Sequence, residues 1–210
     1  GFTTPHHHLI NKYNKNLSGQ LITNFPILKP KINNKFSEYK ERKNIICYSG
    51  TVYRFSNQKQ IIDAIKKIKI PVEYKIAGYI EKRFLNYLFK ISDQKKFPDF
   101  QGRLNHDELR SFYYQSSIGI VVYDYVDFLG NKLGSYGTNK LFEYMEVGLP
   151  VICTNFSLWE NVIKEYDCGI CVSPRDKEGI YNAITFLLNN KERAFQMGMK
   201  GRKAIEEKYN

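Results

Sequence analysis

The chain has 210 residues, 42% of them hydrophobic, and a formal net charge of +11 from 32 basic and 21 acidic residues. This length allows one sizeable domain with extensions, and the apolar fraction is sufficient for a hydrophobic core. No stretch is apolar for long enough to span a bilayer, and no N-terminal stretch has signal-peptide architecture. These features exclude an integral membrane protein and predict a cytoplasmic domain.

The positive charge has two interpretations. A nucleic-acid-binding surface is one, but the basic residues are spread along the chain without an arginine-rich block or an RNA-binding aromatic motif. Anionic small ligands, or peripheral contact with the anionic inner face of a membrane, fit the charge at least as well. We therefore expect no nucleic-acid partner. A basic nucleic-acid-binding module remains the alternative from another functional class, which a steeply salt-dependent affinity for RNA or DNA would favour.

Residues 1–43 differ in composition from the rest of the chain. Thr4 and Pro5 have the pattern of a helix cap followed by proline at the first helical position, which predicts a short helix. A strand is predicted at 20–23, and a connector rich in lysine, asparagine and proline follows. We interpret residues 1–43 as the tail of a preceding N-terminal domain with a hinge, and residues 44–210 as a separate domain.

Histidine and cysteine groups raise the question of a metal site. Residues 6–8 are three adjacent histidines, which point in different directions on a helix, so we interpret them as an ordinary surface run. Cys168 and Cys171 form a C-x-x-C, but residues three apart in a strand face opposite sides and one metal could not bind both. Cys47 and Cys153 fall in predicted buried strands. We expect four reduced structural thiols, as in a cytoplasmic protein.

From residue 44 onward, strand and helix patterns alternate. Apolar runs predict strands at 44–50, 72–77, 97–102, 117–123, 149–154 and 169–172, with a turn at Gly78. Helical spacing of apolar residues predicts helices at 58–70, 81–91, 107–115, just after 138, and at 158–166, 176–189 and 191–208. This order predicts an α/β fold with a doubly wound, mostly parallel, six-stranded Rossmann-like sheet and helices on both faces. Ligands of such sheets bind beyond the carboxyl ends of the strands.

One segment at this edge carries both a cation and a carboxylate. Lys140 and Glu143 are three residues apart at the start of a predicted helix, on one face and near the positive end of the helix dipole. Gly137, Thr138 and Asn139 precede them and supply backbone amides, a ready anion site. A nucleotide sugar would offer a diphosphate to the cation and ribose hydroxyls to the carboxylate. Alone, the two side chains would be an ordinary solvated pair worth about 0.3–0.5 kcal/mol.

Several short motifs follow one another in a recognisable order. They are Tyr48-Ser49-Gly50 and the stretches 100–109, 139–145, 148–152 and 168–176. Each is weak alone, but the series over residues 44–205 resembles the C-terminal, donor-binding domain of retaining GT-B glycosyltransferases, the glycosyl transferases group 1 family. The resemblance implies half of an enzyme that moves a hexose from a UDP-, GDP- or ADP-sugar to a saccharide or lipid-linked acceptor. The implied setting is bacterial surface polysaccharide or glycolipid biosynthesis.

The resemblance also implies roles for individual residues. Glu143 matches the carboxylate that binds the ribose hydroxyls, and Lys140 matches the basic residue that approaches the donor phosphates in one branch of the family. The family's base-holding loop, which acts largely through backbone groups, corresponds to Gly102, Arg103 and Leu104.

The implied phosphate cations lie near the end of the first strand of the domain. Gly50 matches the family's glycine, but Thr51 follows it where an arginine is common. The diphosphate cation must then come from Arg54, Lys59 or Lys140. We expect Lys140 and Arg54 to be the catalytic cations that stabilise the leaving diphosphate.

Two features leave sugar recognition open. The family's first glutamate, used near the donor sugar, is Ser135 here. Gly130, Gly134 and Gly137 predict a mobile loop that could close on a sugar. The family uses protein cations and helix dipoles in place of a metal, so we expect no metal and no cofactor.

The resemblance implies an enzyme larger than this chain. An acceptor domain would precede residue 1, and a helix crossing back to it would follow residue 210, so we expect little or no transfer by residues 1–210 alone. A GT-B nucleotide-sugar epimerase, or a phosphorylase-like enzyme, is the alternative within the fold.

Overall fold

The computed structural model of the chain describes residues 2–4, 6, 9–10, 19–21, 23, 25–30, 35–92 and 97–210. Within these residues the strands are β1 (Phe2–Thr4), β2 (Gly19–Leu21), β3 (Ile45–Val52), β4 (Glu73–Ile80), β5 (Asp99–Gly102), β6 (Ile118–Val121), β7 (Val151–Thr154) and β8 (Gly169–Val172). Strands β3 to β8 form a six-stranded sheet in the spatial order β5-β4-β3-β6-β7-β8, with every neighbouring pair parallel. The predicted α/β fold is confirmed. β1 and β2 form a separate parallel pair.

Helices pack around the main sheet. In the described part of the chain they are α1 (Phe36–Lys40), α2 (Gln58–Ile65), α3 (Lys82–Ser92), α4 (His106–Gln115), α5 (Lys140–Glu146), α6 (Ser157–Tyr166), α7 (Lys177–Asn189) and α8 (Lys191–Glu207). Short 3-10 turns occur at Arg54–Ser56, Asp127–Leu129 and Asn131–Leu133. None of the described helices combines the length and the apolar character needed to cross a membrane.

The hydrophobic core is centred on the middle strands of the sheet. Every residue of β6 and β7 is buried, whereas β5, at one edge, is half-buried or exposed along its length. Strands covered on both faces need continuous apolar runs, and these two central strands have them. Because β3 and β6 are neighbouring parallel strands, their carboxyl ends lie side by side at one edge of the sheet.

Two element boundaries differ from the prediction. Helix α2 ends at Ile65 because its last amides turn to carbonyls three residues back, and Pro71 disfavours helical geometry in the residue before it. Strand β4 continues through Gly78, which pairs with Gly50 of β3 and does not form the predicted turn. Gly78 has φ +134°, and a Cβ there would overlap the carbonyl oxygen of Gly50. The glycine thus serves close strand packing.

The first 43 residues also depart from the prediction. Thr4 lies in β1 and not at a helix start, and residues 9–10 are helical. Pro5 and most of the predicted helix lie outside the described residues. The predicted strand at 20–23 is β2, shifted toward the N-terminus, and the predicted connector contains helix α1.

Residues 25–30 pack on the domain through aromatic contacts and a hydrogen bond. The ring of Phe25 lies 4.8 Å from that of Phe142 and 5.3 Å from that of Tyr209, both edge-on. Arg202 of α8 donates to the carbonyl of Lys29 at 2.6 Å and forms a buried ion pair with Glu146 of α5 at 2.7 Å. Helix α5, the last helix and this segment are therefore joined by one network.

The cysteines are free thiols whose geometry agrees with the expected structural role. Cys171 lies 3.8 Å from Cys153 on the adjacent strand, sulfur to sulfur, because the two are register partners in β8 and β7. The Cys168 sulfur instead approaches the carbonyl of Val162. Burial raises the pKa of Cys47 to about 12, which keeps that thiol protonated.

Candidate functional site

A cavity of about 430 Å³ opens at the carboxyl edge of the sheet, which we call the α5 cavity. Its walls come from the end of β3, the residues after β6, the loop before α5 and the first turns of α5. The structure brings six of the predicted site residues together there: Gly50, Gly137, Thr138, Asn139, Lys140 and Glu143.

Lys140 is held against the end of β3. A Cβ on Gly50 would lie 2.7 Å from Cε and 2.8 Å from Nζ of Lys140, so a larger residue there would push the end of the lysine aside. The ammonium sits 5.7 Å from the ring centre of Tyr48 and 5.8 Å from that of Tyr123. Among the described residues, no carboxylate lies within 4.0 Å of it. Lys140 thus presents a cation over two aromatic rings.

Glu143 is oriented by a hydrogen-bonded group beneath it. The hydroxyl of Tyr113 donates to its carboxylate at 2.7 Å and lies 2.8 Å from the hydroxyl of Ser49. The Ser49 amide in turn donates to the hydroxyl of Tyr144 at 3.0 Å. Burial, with the nearby Glu143 charge, raises the pKa of Tyr113 well above its ordinary value, so this hydroxyl remains a donor. A carboxylate fixed in this way keeps lone pairs for ligand hydroxyls.

Ser135 stands behind the cavity wall. Its side chain is only 1% exposed, and its hydroxyl accepts from the amide of Gly137 at 2.9 Å. Trp159 donates to the Ser135 carbonyl at 2.8 Å, which anchors the loop. Nδ1 of His6 lies 2.8 Å from the same hydroxyl. Ser135 therefore contacts His6, and His6 in turn lines the cavity.

His6 itself lines the α5 cavity and is half-buried. The interpretation of this histidine as part of a surface run was wrong, while the other two histidines of the run lie outside the described residues. Sequence offers no signal for the contact, because His6 and Ser135 are 129 residues apart.

Arg54 and Lys59 lie in a neighbouring cavity of about 550 Å³. Arg83 and Arg175 also line it, which makes it basic. Lys59 donates to Asp63 at 2.7 Å, whereas Arg54 is exposed on a 3-10 turn. The structure places these two predicted cations in a different cavity from Lys140.

Residues 29–204 match the family model described as "Glycosyl transferases group 1". The chain belongs to the glycosyl transferases group 1 family. No curated protein matches the sequence.

Solved structures share the fold of this glycosyltransferase domain at low identity. A TarM variant from S. aureus, crystallised with fondaparinux, α-GlcNAc-glycerol and UDP, is 15% identical with a TM-score of 0.75, over 96% of this chain and 38% of TarM. HepE from Anabaena with UDP-glucose is 10% identical with a TM-score of 0.75, over 99% and 59%. The C-terminal domain of LpcC, a glycosyl transferase group 1 family protein from Francisella tularensis, is 18% identical with a TM-score of 0.63, over 85% and 94%.

The matched lengths compare this chain with each of the solved proteins. It spans 38% of the TarM chain and 59% of HepE, but matches the isolated LpcC domain over most of both lengths. Together with the parallel sheet, the match identifies a C-terminal domain of a GT-B, group 1 glycosyltransferase.

The predicted base-holding loop of this glycosyltransferase domain lines neither cavity. Gly102 pairs with Ala77 at the end of β5, two strands from Gly50 along the same edge. Arg103 is exposed, with its guanidinium 5.5 Å from the ring centre of Tyr79. Leu104 packs partly buried against the core. The role of the loop stays a prediction.

Several cavity residues were missed by the sequence analysis. Tyr53 and Phe55 stack at 4.8 Å on the turn after β3, and Leu109 of α4 contributes an apolar wall. For Tyr53 and Phe55, the signal in the sequence is their position just after a strand, where ligands of parallel sheets bind. Tyr113 is buried in the core, and its hydroxyl also donates to the carboxylate of Glu143.

The remaining predictions concern the glycine loop and metal binding. Gly134 packs so closely on Phe156 that a Cβ would overlap it, and the residues before it form two 3-10 turns. The mobility of the loop stays a prediction. In the described part of the chain, no group of three or more His, Cys, Asp or Glu side chains is placed to hold a metal ion. Among the described residues that line the α5 cavity, Glu143 contributes the one carboxylate.

Proposed function

We propose that this domain binds a nucleotide diphospho-sugar, with Lys140 on the diphosphate and Glu143 on the ribose hydroxyls. The observation that carries the proposal is that both side chains line the same cavity. Lys140 has no carboxylate within 4.0 Å among the described residues, while Glu143 is hydrogen-bonded to Tyr113 at 2.7 Å. A cation and a carboxylate that do not pair with each other suit a ligand carrying both an anion and hydroxyls.

The spacing of the two side chains matches the order of groups in a nucleotide. Three residues of helix rise about 4.5 Å, so Lys140 and Glu143 lie one above the other on the cavity face. In a nucleoside diphosphate the ribose adjoins the phosphates. With the ribose at Glu143, the diphosphate therefore lies at Lys140, against the bare Cα of Gly50.

Lys140 is also the proposed catalytic cation. Negative charge develops on the diphosphate as the sugar leaves, and a preorganised ammonium stabilises that charge in the transition state. Arg54 and Lys59 are proposed to reach the diphosphate from the adjacent basic cavity, with Arg54 as the second catalytic cation. Backbone groups of residues 102–104 are proposed to hold the base. No metal or cofactor enters this scheme.

We propose that the complete enzyme is a retaining hexosyltransferase. TarM crystallised with UDP and HepE crystallised with UDP-glucose support a nucleotide-sugar donor. The proposed acceptor is a saccharide or a lipid-linked sugar, in bacterial surface polysaccharide or glycolipid assembly at the cytoplasmic face of the membrane. Because the chain spans only part of TarM and HepE, we expect residues 1–210 alone to show little or no transfer.

Ribose selectivity tests the role of Glu143. We expect the protein to bind UDP, GDP or ADP about tenfold or more tightly than the 2′-deoxy counterpart, since each hydrogen bond to a charged group contributes about 1.5–3 kcal/mol. Calorimetric titration measures both affinities. Glu143→Ala should weaken the ribonucleotide to the level of the deoxynucleotide.

The matched control is Glu160→Ala, which removes a carboxylate paired with Lys164 at 3.0 Å on the surface of α6. It should leave the selectivity unchanged. A ribose preference that survives in Glu143→Ala would remove this residue from the ribose site.

A further inference from the structure

One end of the α5 cavity is formed by groups from distant parts of the chain. His6 and Phe128 both line it, with ring centres 5.4 Å apart. The imidazole also lies against Gly137, where a Cβ would be 2.7 Å from its Cε1. The N-terminal segment and the loop before α5 thus meet at the cavity wall.

His6 and Gly137 share the α5 cavity with the proposed donor contacts, Lys140 and Glu143. Along the chain toward the N-terminus, Glu143 is followed by Lys140 and then by Gly137 with His6 beside it. A nucleotide sugar has its groups in the same order: ribose, diphosphate and sugar. With the first two at Glu143 and Lys140, the sugar extends toward His6.

The chemistry of this end suits a hexose. A ring nitrogen of an imidazole can donate to a sugar hydroxyl or accept from one, according to the tautomer. Phe128 is 63% exposed and offers an apolar ring surface to the C–H face of a sugar. Ser135, which stands where the family's first acid would be, is 1% exposed and bonds His6. The polar group presented to the cavity at this position is therefore the histidine.

We propose that His6 binds a hydroxyl of the donor's sugar and that Ser135 is the positioning residue that fixes its imidazole. This inference rests on the proposed function and adds to it a specificity-determining residue from outside the sheet. The hydrogen bond from the Gly137 amide at 2.9 Å holds the Ser135 hydroxyl in place, and that hydroxyl lies 2.8 Å from Nδ1 of His6. The histidine thus supplies the polar contact that an acid would otherwise make directly.

The test compares nucleotides with and without the sugar. UDP, GDP and ADP, and the glucose conjugate of each, are titrated calorimetrically into wild type, His6→Ala, Ser135→Ala and the double variant. For the nucleotide that binds wild type, we expect His6→Ala to weaken the glucose conjugate about fivefold while the diphosphate changes less than about twofold. Ser135→Ala should act in the same direction, and the double variant should be no weaker than His6→Ala.

The matched control is His106→Ala, because His106 is an exposed histidine at the start of α4. It should change neither affinity. Equal loss of conjugate and diphosphate in His6→Ala, or no loss of either, would overturn the role of His6 and leave the proposed function standing. Additive losses in the double variant would overturn the positioning role of Ser135. Absence of binding of all six nucleotides to wild type would overturn both the inference and the proposed function.

Discussion

At the scale of single residues, the candidate site depends on what glycine permits. Gly50 has φ +92°, a conformation that side-chain-bearing residues rarely adopt, and its bare Cα gives Lys140 room. Removing that room forces the lysine away from Tyr48 and Tyr123. The proposed phosphate contact and the backbone conformation of β3 therefore depend on the same glycine.

Gly50→Ala tests this dependence. We expect a loss of about 1–2 kcal/mol in the free energy of unfolding, measured by urea titration, because alanine is strained at positive φ, while the added methyl group moves the flexible end of Lys140 aside. Nucleoside diphosphate affinity should fall with it. Gly102→Ala is the matched control for stability, since Gly102 has φ +69° but nothing within 4 Å of an added Cβ. A nucleoside diphosphate affinity that is unchanged in Gly50→Ala would contradict the proposed position of Lys140 beside Gly50.

The residue scale also shows what sequence can predict of a site. The shared position of Lys140 and Glu143 was predictable because residues three positions apart in a helix lie on the same face. Arg54 and Lys59 were assigned to the same site, yet Arg54, on a 3-10 turn, and Lys59, at the start of α2, line the next cavity. His6 was not predictable, because its contact with Ser135 depends on how two distant segments pack.

At the scale of elements, helix α6 is tied to α8 by the residue that ends it. Asp167 follows α6 with φ +51° and accepts from Arg193 and Lys200 of α8, both at 2.7 Å. Hydrogen bonds from Lys200 and then Arg193 hold the pKa of Asp167 below its ordinary value of 3.8. The folded state thus favours the charged carboxylate.

The sign of the pH dependence follows from this depressed pKa. The stability that Asp167 contributes is complete above its unfolded-state pKa and is lost as the pH falls through the lower folded-state pKa. Asp167→Asn keeps a residue that tolerates positive φ. We expect it to lower the free energy of unfolding by at most about 1 kcal/mol near neutral pH, because these charges are partly exposed.

Urea unfolding of wild type and Asp167→Asn at a series of pH values measures the effect. The difference between the two proteins should be largest near neutral pH and should shrink as the pH falls below 3.8 and through the lower folded-state pKa. Glu207→Gln removes an exposed acid of α8 and controls for net charge. A difference between wild type and Asp167→Asn that is independent of pH would show that the carboxylate charge does not contribute.

Element types were predictable because hydrophobic period and length distinguish strands from helices. The ends of elements were less so. Helix α2 stops at Ile65 although apolar spacing continues to residue 68, and β4 runs through Gly78, where a turn was predicted. Strand β4 follows tertiary packing, because Gly78 lies against Gly50 of the neighbouring strand, whereas α2 ends where its amides turn to carbonyls three residues back.

At the scale of the whole molecule, the sheet order brings the site together. β3 and β6 are neighbours although 65 residues of chain lie between Val52 and Ile118, and their carboxyl ends flank the start of α5. The fold class and this edge were predictable from the β-α alternation. The docking of Phe25 and Lys29 on α5 and α8 was not, since it depends on long-range packing.

The central claim is that Lys140 binds the diphosphate of a nucleotide in the α5 cavity. Calorimetric titration of wild type and Lys140→Ala with UDP, GDP and ADP, each beside its monophosphate, tests it most directly. Lys164→Ala, which removes an exposed lysine of α6, is the matched control. We predict that wild type and Lys164→Ala bind one diphosphate about tenfold more tightly than its monophosphate and that Lys140→Ala loses this preference. The same preference in Lys140→Ala, or no binding of any of the three diphosphates to wild type, would contradict the claim.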